Sequence, residues 1–189
     1  MSEPLKIRVI VGSVREGRIS LPIAEWVMGQ AADRTDMVTE LLDLKKWDLP
    51  MFAEPFPPAT GKYTGAKQRA WAGTIGPADG FILVAPEYNH GMSAVLKNAL
   101  DTVSAEWAKK PVAFVGHGTI GAGRSVEQLR EVTAALAMAP LSQALHIQNA
   151  TSMRDGDRFN GDEALARRLG RLFDELVWWG GALRSARDS

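Results

Sequence analysis

Short apolar runs alternate with longer amphipathic stretches along this chain. The apolar runs predict five β-strands, at 5–11, within 37–44, and at 80–85, 112–116 and 142–147. The amphipathic stretches predict five helices, at 22–32, 64–75, 93–104, 124–137 and 162–179. Because strands that alternate with helices form βαβ units, this order predicts parallel strand pairing with right-handed crossovers.

The predicted fold class is α/β, with a three-layer, doubly wound, five-stranded parallel sheet. The strand at 80–85 is apolar throughout, which is typical of a strand covered by helices on both faces. Strand order 2-1-3-4-5 is the most economical arrangement, although periodicity alone does not determine it. The length suits one domain with a full core, so we expect a single domain over 1–189. The segment 45–63, rich in Pro, Gly and aromatic residues, is expected to be a long loop.

Charge and composition narrow the classes of function. Lys+Arg and Asp+Glu both number 22, so the chain lacks the basic surplus that binding to nucleic acid or to an anionic membrane surface requires. The chain has no cysteine, which excludes disulfides, thiolate nucleophiles, iron–sulfur clusters and cysteine zinc sites. The three histidines, His90, His117 and His146, lie far apart in the sequence, so a metal site is not expected.

Targeting and membrane-spanning segments are not recognisable. The segment Met1–Pro4 lacks the basic start and the long apolar run of a signal peptide. No stretch approaches the ~18 apolar residues that a membrane span needs. We therefore expect a cytoplasmic location.

Three unusual loops follow the predicted strands one, three and four, at 12–20, 86–91 and 116–123. In an open α/β sheet, ligands bind beyond the carboxyl ends of the strands, near the point where the strand order reverses. In the expected order these three strands are neighbours. The three loops should therefore converge on one crevice.

The first loop has the features of a phosphate site. It leads into a helix N-terminus, where free N–H groups and the helix dipole favour an anion. Ser13 and Ser20 add hydroxyl donors, and Arg15 and Arg18 add positive charge. The loop matches neither the Walker A nor the dinucleotide glycine pattern. The alternative is a surface turn with incidental arginines. Ser20 is also the expected cap of the helix at 22–32, with Pro22 in its first turn.

The second loop, Pro86 to Gly91, places polar and aromatic groups directly after a buried strand. Tyr88 could press on a planar ring while backbone N–H groups meet the ring carbonyls, and Gly91 would permit a tight turn. The alternative is a capped strand-to-helix turn, with Asn89 or Ser93 as the cap.

The third loop contains four glycines between 116 and 123. Close approach of the backbone to a flat ligand would explain this density, and plain flexibility would explain it equally well. His117 could contact the edge of a ligand, although a single histidine in a loop is more often a solvated side chain.

Taken together, these motifs resemble the NAD(P)H-dependent FMN reductases of the flavodoxin-like superfamily, which include quinone, azo-dye and chromate reductases. The match rests on Gly12-Ser13-x-Arg15, on Pro86-Glu87-Tyr88-Asn89 followed by the block 94–101, and on Lys110-Pro111-Val112 before the glycine-rich loop. It extends from Ile7 to about Ile147. One departure is that many members have Ser-x-Asn where this chain has Ser20-Leu21-Pro22.

The resemblance implies a non-covalent FMN site formed by the three loops. Its residues would be Ser13, Arg15 and Ser20 at the phosphate, with Arg18 and Ile23 as further candidates, Pro86, Glu87, Tyr88, Asn89 and His90 at the ring, and Gly116, His117, Gly118 and Thr119 on the other side. Lys97 and Asp101 would be structural or interface residues. No catalytic side chain is implied, because the flavin N5 carries the chemistry.

The implied function is transfer of hydride from NAD(P)H, the co-substrate, to the flavin, and then to a quinone, azo, metal-oxyanion or free-flavin acceptor. The alternative is an FMN-binding electron carrier without reductase activity. Such carriers tend to be acidic, and this chain is balanced. The sequence does not identify the physiological acceptor or the preferred nucleotide.

The resemblance also implies a homodimer or a dimer of dimers. Trp71, Trp107 and the pair Trp178-Trp179 could flank the flavin across an interface, although packing is the more common role of such residues. Adjacent residues on a helix cannot both face inward, so one tryptophan of the pair is a candidate for subunit contact. The 45–63 loop would shape either the acceptor pocket or a subunit contact.

Overall fold

A parallel β-sheet forms the centre of the structure, a computed structural model that describes residues 3–189. Met1 and Ser2, part of the segment in which no signal peptide was recognised, lie outside the described residues. The strands are β1 Leu5–Val11, β2 Met37–Asp43, β3 Gly80–Pro86, β4 Pro111–Gly118, β5 Ala139–Pro140 and β6 Leu145–Gln148. Their order is β2-β1-β3-β4-β5, with β6 also paired to β4, and all five pairs are parallel. The predicted strand order is therefore confirmed.

The fifth position of the sheet is divided between two short strands, where one strand at 142–147 was predicted. β5 pairs with the start of β4, and β6 pairs with its end. Between them, the carbonyls of Leu141 and Ser142 accept hydrogen bonds from the Arg130 guanidinium instead of a neighbouring strand. This side-chain contact interrupts the ladder, and the apolar pattern alone gave no sign of it.

The five predicted helices are present, with shifted ends. The helices are α1 Ser20–Ala31, α2 Leu44–Trp47, α3 Ala66–Ile75, α4 Ala94–Asp101, α5 Gly123–Ala135 and α6 Glu163–Asp188. The additional helix α2 and a 3₁₀ turn at Pro58–Thr60 lie within or beside the segment predicted as a long loop. After β6 come a 3₁₀ helix at Ala150–Met153 and a small hairpin of β7 Arg154–Asp155 and β8 Arg158–Phe159.

The last helix continues well beyond its predicted end at Trp179. Gly180 does not end it, because the glycine lies against β1: a Cβ there would come within 2.6 Å of Leu5 Cδ1. Further along, Arg184 donates to the carbonyl of Glu3, and Arg187 donates to Asp79 at 3.0 Å. These contacts join the last turns of α6 to the amino ends of the strands.

Two apolar layers enclose the sheet. One is formed with α1 and α6, and the other with α3, α4 and α5. Trp71 and Trp107 are fully buried in the second layer, which confirms the packing interpretation for these two residues. Trp178 and Trp179 are exposed by 66% and 37%, so at least one of the pair faces outward, as expected. Within residues 3–189, none of the helices has the length and apolar character of a membrane span.

Candidate functional site

A cleft of about 600 Å³ lies at the carboxyl edge of the sheet. The register places the ends of the strands side by side, with Val11 opposite Val84 and Pro86 opposite His117. The loops after β1, β3 and β4 line this cleft together. The predicted convergence of the three loops therefore follows directly from the strand order.

Most of the residues predicted for the site line this cleft. They are Ser13, Arg15, Arg18, Ser20, Pro86, Glu87, Tyr88, His117, Gly118 and Thr119. The other four lie elsewhere. Ile23 is buried in the core under α1, Gly116 is packed inside the third loop, and Asn89 and His90 form the exposed tip of a turn.

Part of the cleft wall lies outside the three predicted loops or at residues not predicted for the site. Ile19 and the segment 149–152 after β6 also line the cleft. The general rule that ligands lie beyond the carboxyl ends of strands applies to the fifth strand as well, and would have indicated this segment. It carries neither the glycines nor the charges that drew attention to the other loops.

The first loop is attached to the second by a hydroxyl pair. Ser13 is buried, and its Oγ lies 2.6 Å from Tyr88 Oη. Arg15 is exposed, and its guanidinium carbon lies 5.8 Å from the centre of the Tyr88 ring. Since cations favour the faces of aromatic rings, Tyr88 holds the Arg15 charge at the rim of the cleft.

Arg18 has a different environment from Arg15. Its guanidinium donates to Asp43 at 2.7 Å, and the two side chains are exposed by only 9% and 3%. Arg18 Nε is buried and has no hydrogen-bond partner within residues 3–189. Asp43 therefore balances most of the Arg18 charge, and Arg15 provides the more available positive charge at the cleft.

Ser20 begins α1 but does not cap it, so that prediction is wrong. The N-cap residue is Ile19, without a side-chain hydrogen bond to the helix. The Ser20 hydroxyl is fully buried and lies 2.8 Å from His117 Nε2 at the end of β4. The Ser20 hydroxyl does not cap the helix, because it forms its hydrogen bond with the histidine ring instead.

His117 is a buried residue, and the interpretation of it as a solvated loop histidine is wrong. Its side chain lies where β4 reaches the cleft, and the residue is only 5% exposed. Burial lowers the pKa of His117 to about 4, because the charged imidazolium is disfavoured away from water. The ring is therefore neutral at pH 7.

The second loop forms a tight turn in which Tyr88 and Gly91 exchange backbone hydrogen bonds of 2.9 and 3.0 Å. Asn89 and His90 occupy the two central positions with φ of 49° and 67°. Gly91 was expected to supply the unusual backbone conformation, but the residues with positive φ are Asn89 and His90. Both residue types are enriched in the left-handed region. The cap of α4 is Ser93, whose Oγ accepts from the Leu96 N–H, so the capped-turn alternative describes this part of the loop correctly.

Glu87 is fixed by α5 and faces the cleft as a carboxylate. Burial acts to raise its pKa, but hydrogen bonds from the Arg124 backbone and guanidinium outweigh burial and leave the pKa below its usual value. Gln128, one turn further along α5, donates to the His90 carbonyl and accepts from the Met92 N–H. These contacts hold the loop in place, and they leave Glu87 poorly suited to donate a proton.

The third loop is tightly packed, and its glycines are explained by close contacts. A Cβ on Gly116 would lie 2.6 Å from the Gly121 carbonyl oxygen. Gly121 has φ of 77°, and its carbonyl accepts a 2.8 Å hydrogen bond from His146 Nδ1. The glycine density thus permits a compact turn that brings Gly118 and Thr119 to the cleft.

Comparison with known proteins identifies the family. The profile of the family described as NADPH-dependent FMN reductase matches residues 5–152. This chain belongs to the NADPH-dependent FMN reductase family. The matched region contains β1 to β6 and every loop that lines the cleft.

Individual relatives of this FMN reductase family member agree. The chain is 43% identical over 144 residues to an NAD(P)H-dependent FMN reductase of Schizosaccharomyces pombe, which covers 74% of this chain and 72% of the relative. It is 30% identical over 183 residues to a 2-hydroxy-1,4-benzoquinone reductase of a Burkholderia species, covering 93% and 96%. The solved structure of FerB, a flavoenzyme NAD(P)H:(acceptor) oxidoreductase from Paracoccus denitrificans, has a TM-score of 0.75 at 22% identity, covering 94% of this chain and 98% of that one. The predicted flavodoxin-like fold is confirmed.

The residues of the cleft fit the cofactor that the family name implies. Its volume is within the range of about 300–1,000 Å³ that is usual for sites of small ligands and cofactors. One side presents hydroxyl groups, the N-terminus of α1 and the Arg15 charge, which suit a phosphate. The other side presents Pro86 and Tyr88, which suit a planar ring.

Proposed function

We propose that this chain is an FMN-dependent NAD(P)H oxidoreductase that delivers electrons to small-molecule acceptors. The observation that carries the proposal is the joint placement of Ser13, Tyr88 and His117 in one cleft of a chain that belongs to the FMN reductase family. Quinones, azo compounds, metal oxyanions and free flavins are the acceptor classes to test. Quinones come first, because one relative is a benzoquinone reductase.

The phosphate end of FMN would lie at the first loop. Ser13 and Ser20 would donate hydroxyl hydrogen bonds, and Arg15 would provide a charge that no carboxylate of residues 3–189 balances. Arg18 would contribute less, because its guanidinium is paired with Asp43 and its Nε is buried. This division of roles is supported by the different environments of the two arginines.

The ring end would lie between the second and third loops. Pro86, Glu87 and Tyr88 would form one wall, and Gly118 and Thr119 would form the other. When bound, FMN supplies a hydride acceptor at its N5 atom and passes the electrons on. The protein's own side chains bind and orient, because Glu87 is held as a carboxylate by Arg124 and His117 is neutral and paired with Ser20.

An electron carrier without reductase activity is the second hypothesis. The equal numbers of acidic and basic residues favour the enzyme, since dedicated carriers tend to be acidic for docking. The deciding experiment loads the purified protein with FMN, records its absorbance, and measures NADH and NADPH oxidation with and without a quinone. Turnover with either nucleotide supports the enzyme. Bound FMN without turnover supports the carrier.

The 45–63 segment is proposed as a wall of the acceptor site. Asn98 on α4 is buried and binds this segment twice, because its Oδ1 accepts from the Phe52 N–H at 2.8 Å and its Nδ2 donates to the Pro50 carbonyl at 2.9 Å. Between these contacts Met51 remains 70% exposed, and together with Val14 it lines a second cavity beside the first loop. This placement gives an apolar surface next to the proposed flavin site.

We also propose that the whole chain forms one FMN-binding domain that assembles as a homodimer or a dimer of dimers. The single-domain proposal is supported by α6, which lies beyond the family match but packs on β1 and β4. The dimer proposal is supported by the exposed apolar side chains of Trp178 and Trp179 on α6. Light scattering should give at least twice the mass of 20.5 kDa, and a monomeric mass would contradict the proposal.

A further inference from the structure

Ser20 and His117 form a buried polar pair in the wall of the cleft. The two residues are 97 positions apart in the sequence, and they join the first residue of α1 to the end of β4. Ser20 is fully buried, His117 is 5% exposed, and the Oγ–Nε2 distance is 2.8 Å. Within residues 3–189, this is the one side-chain hydrogen bond recorded for the His117 ring.

The direction of this hydrogen bond depends on the histidine tautomer. With the proton on Nε2, the ring donates to Ser20 Oγ, and the serine hydroxyl proton is free to point into the cleft. With the proton on Nδ1, the serine hydroxyl donates to the ring instead and presents its lone pairs to the cleft. The first arrangement attracts an anion and the second repels one.

The Ser20 hydroxyl matters because other donors at this end of the cleft are few. Pro22 in the first turn of α1 has no N–H to offer. Arg18 is already bound to Asp43. The hydroxyl is thus one of the few neutral donors that this end of the site retains beside Ser13.

We infer that His117 is a positioning residue for the FMN phosphate, donating from Nε2 to Ser20 so that the Ser20 hydroxyl donates to the phosphate. The inference rests on the proposed function, because it requires FMN in this cleft. Burial keeps the ring neutral at pH 7, so that only one of its nitrogens carries a proton and the tautomer is a real choice. His117 acts through Ser20 and needs no contact of its own with the phosphate.

The tautomer is measured by nitrogen NMR of the wild-type protein with FMN bound. His146 provides an internal reference, because its Nδ1 lies 2.8 Å from the Gly121 carbonyl, which can only accept, so Nδ1 must carry a proton. His117 should show the opposite pattern, with the proton on Nε2. A His117 ring protonated on Nδ1 in the FMN complex would overturn the inference. This measurement does not depend on the folding of any variant.

Binding of FMN and of riboflavin separates the phosphate contribution from that of the ring. Ser20→Ala should raise the Kd of FMN about tenfold and leave that of riboflavin unchanged, since a hydrogen bond to a charged group is lost. His117→Ala should weaken FMN selectively as well. The double variant should be no weaker than Ser20→Ala alone, because both changes remove the same contact. His117→Gln, which retains an N–H donor, should restore part of the selectivity.

The outcomes distinguish this inference from the proposed function. Wild-type protein that binds neither flavin would reject the proposed function itself. Wild-type protein that prefers FMN, together with a His117→Ala variant whose preference for FMN over riboflavin is unchanged, would reject only the role of His117. Additive effects of the two substitutions would also reject it, because His117 would then act independently of Ser20.

Discussion

Arg18 and Asp43 connect the first loop of the cleft to the edge of the sheet through a buried 2.7 Å ion pair. Asp43 is the last residue of β2, and its second carboxylate oxygen accepts from the Lys45 N–H at the start of α2. One carboxylate therefore fixes the position of both the arginine and the following helix. This makes Asp43 a structural residue of the site, although it does not line the main cleft.

Asp43→Asn should lower the free energy of unfolding by about 3 kcal/mol, because removing one partner leaves the other charge buried and unpaired. Urea unfolding of the flavin-free protein measures the loss. The matched control is Glu16→Gln. The Glu16 side chain pairs with Lys45 but is 92% exposed, so this substitution should leave stability almost unchanged. Equal midpoints for the two variants would contradict the assignment of a buried pair.

Arg15→Ala should raise the Kd of FMN about tenfold, because within residues 3–189 no carboxylate pairs with the Arg15 charge at the cleft. The effect should shrink as salt is added, since the side chain is exposed. Arg168→Ala, at an exposed arginine on α6, is the control and should bind FMN like the wild type. If FMN affinity were unchanged in Arg15→Ala, the phosphate would have to be held by other groups.

The parts of the fold that local patterns determine could be predicted from the sequence. β3 is buried along its whole length, and its unbroken apolar run is the direct consequence. The convergence of three loops followed from strand order and the rule for strand ends. A tight turn was expected within the 86–91 loop at Gly91, whereas the residues with positive φ are Asn89 and His90.

The contacts that give the site its detail connect residues far apart in the chain. Ser20 is of a residue type that often caps helices, and it becomes the partner of His117 only because β4 lies next to it in the fold. Arg18 is of a residue type that often binds phosphate, and it forms an ion pair with Asp43 only because β2 lies next to it in the fold. Glycine often follows the end of a helix, but Gly180 lies within α6 and packs against Leu5. Periodicity and residue type carry no information on such pairings.

Acid should destabilise the flavin-free protein partly through His117. The folded pKa of about 4 lies below the unfolded value of 6.5, so the unfolded chain binds the proton more readily between these two pH values. The contribution of His117 to stability is therefore complete above pH 6.5 and falls as the pH drops toward 4. The difference in unfolding free energy between wild type and His117→Gln, measured from pH 8 to pH 4, should decrease over this window. A constant difference would contradict a buried neutral ring.

His90→Gly should stabilise the flavin-free protein by about 0.5–1 kcal/mol. His90 has φ of 67° at the second central position of the turn, where a Cβ is strained and glycine is favoured after asparagine. The side chain is exposed, so its removal costs little packing. His90→Ala is the control: it removes the same ring but keeps the Cβ, and it should give no gain in thermal unfolding. Equal stabilisation by both substitutions would assign the effect to the imidazole and would remove the argument from backbone strain.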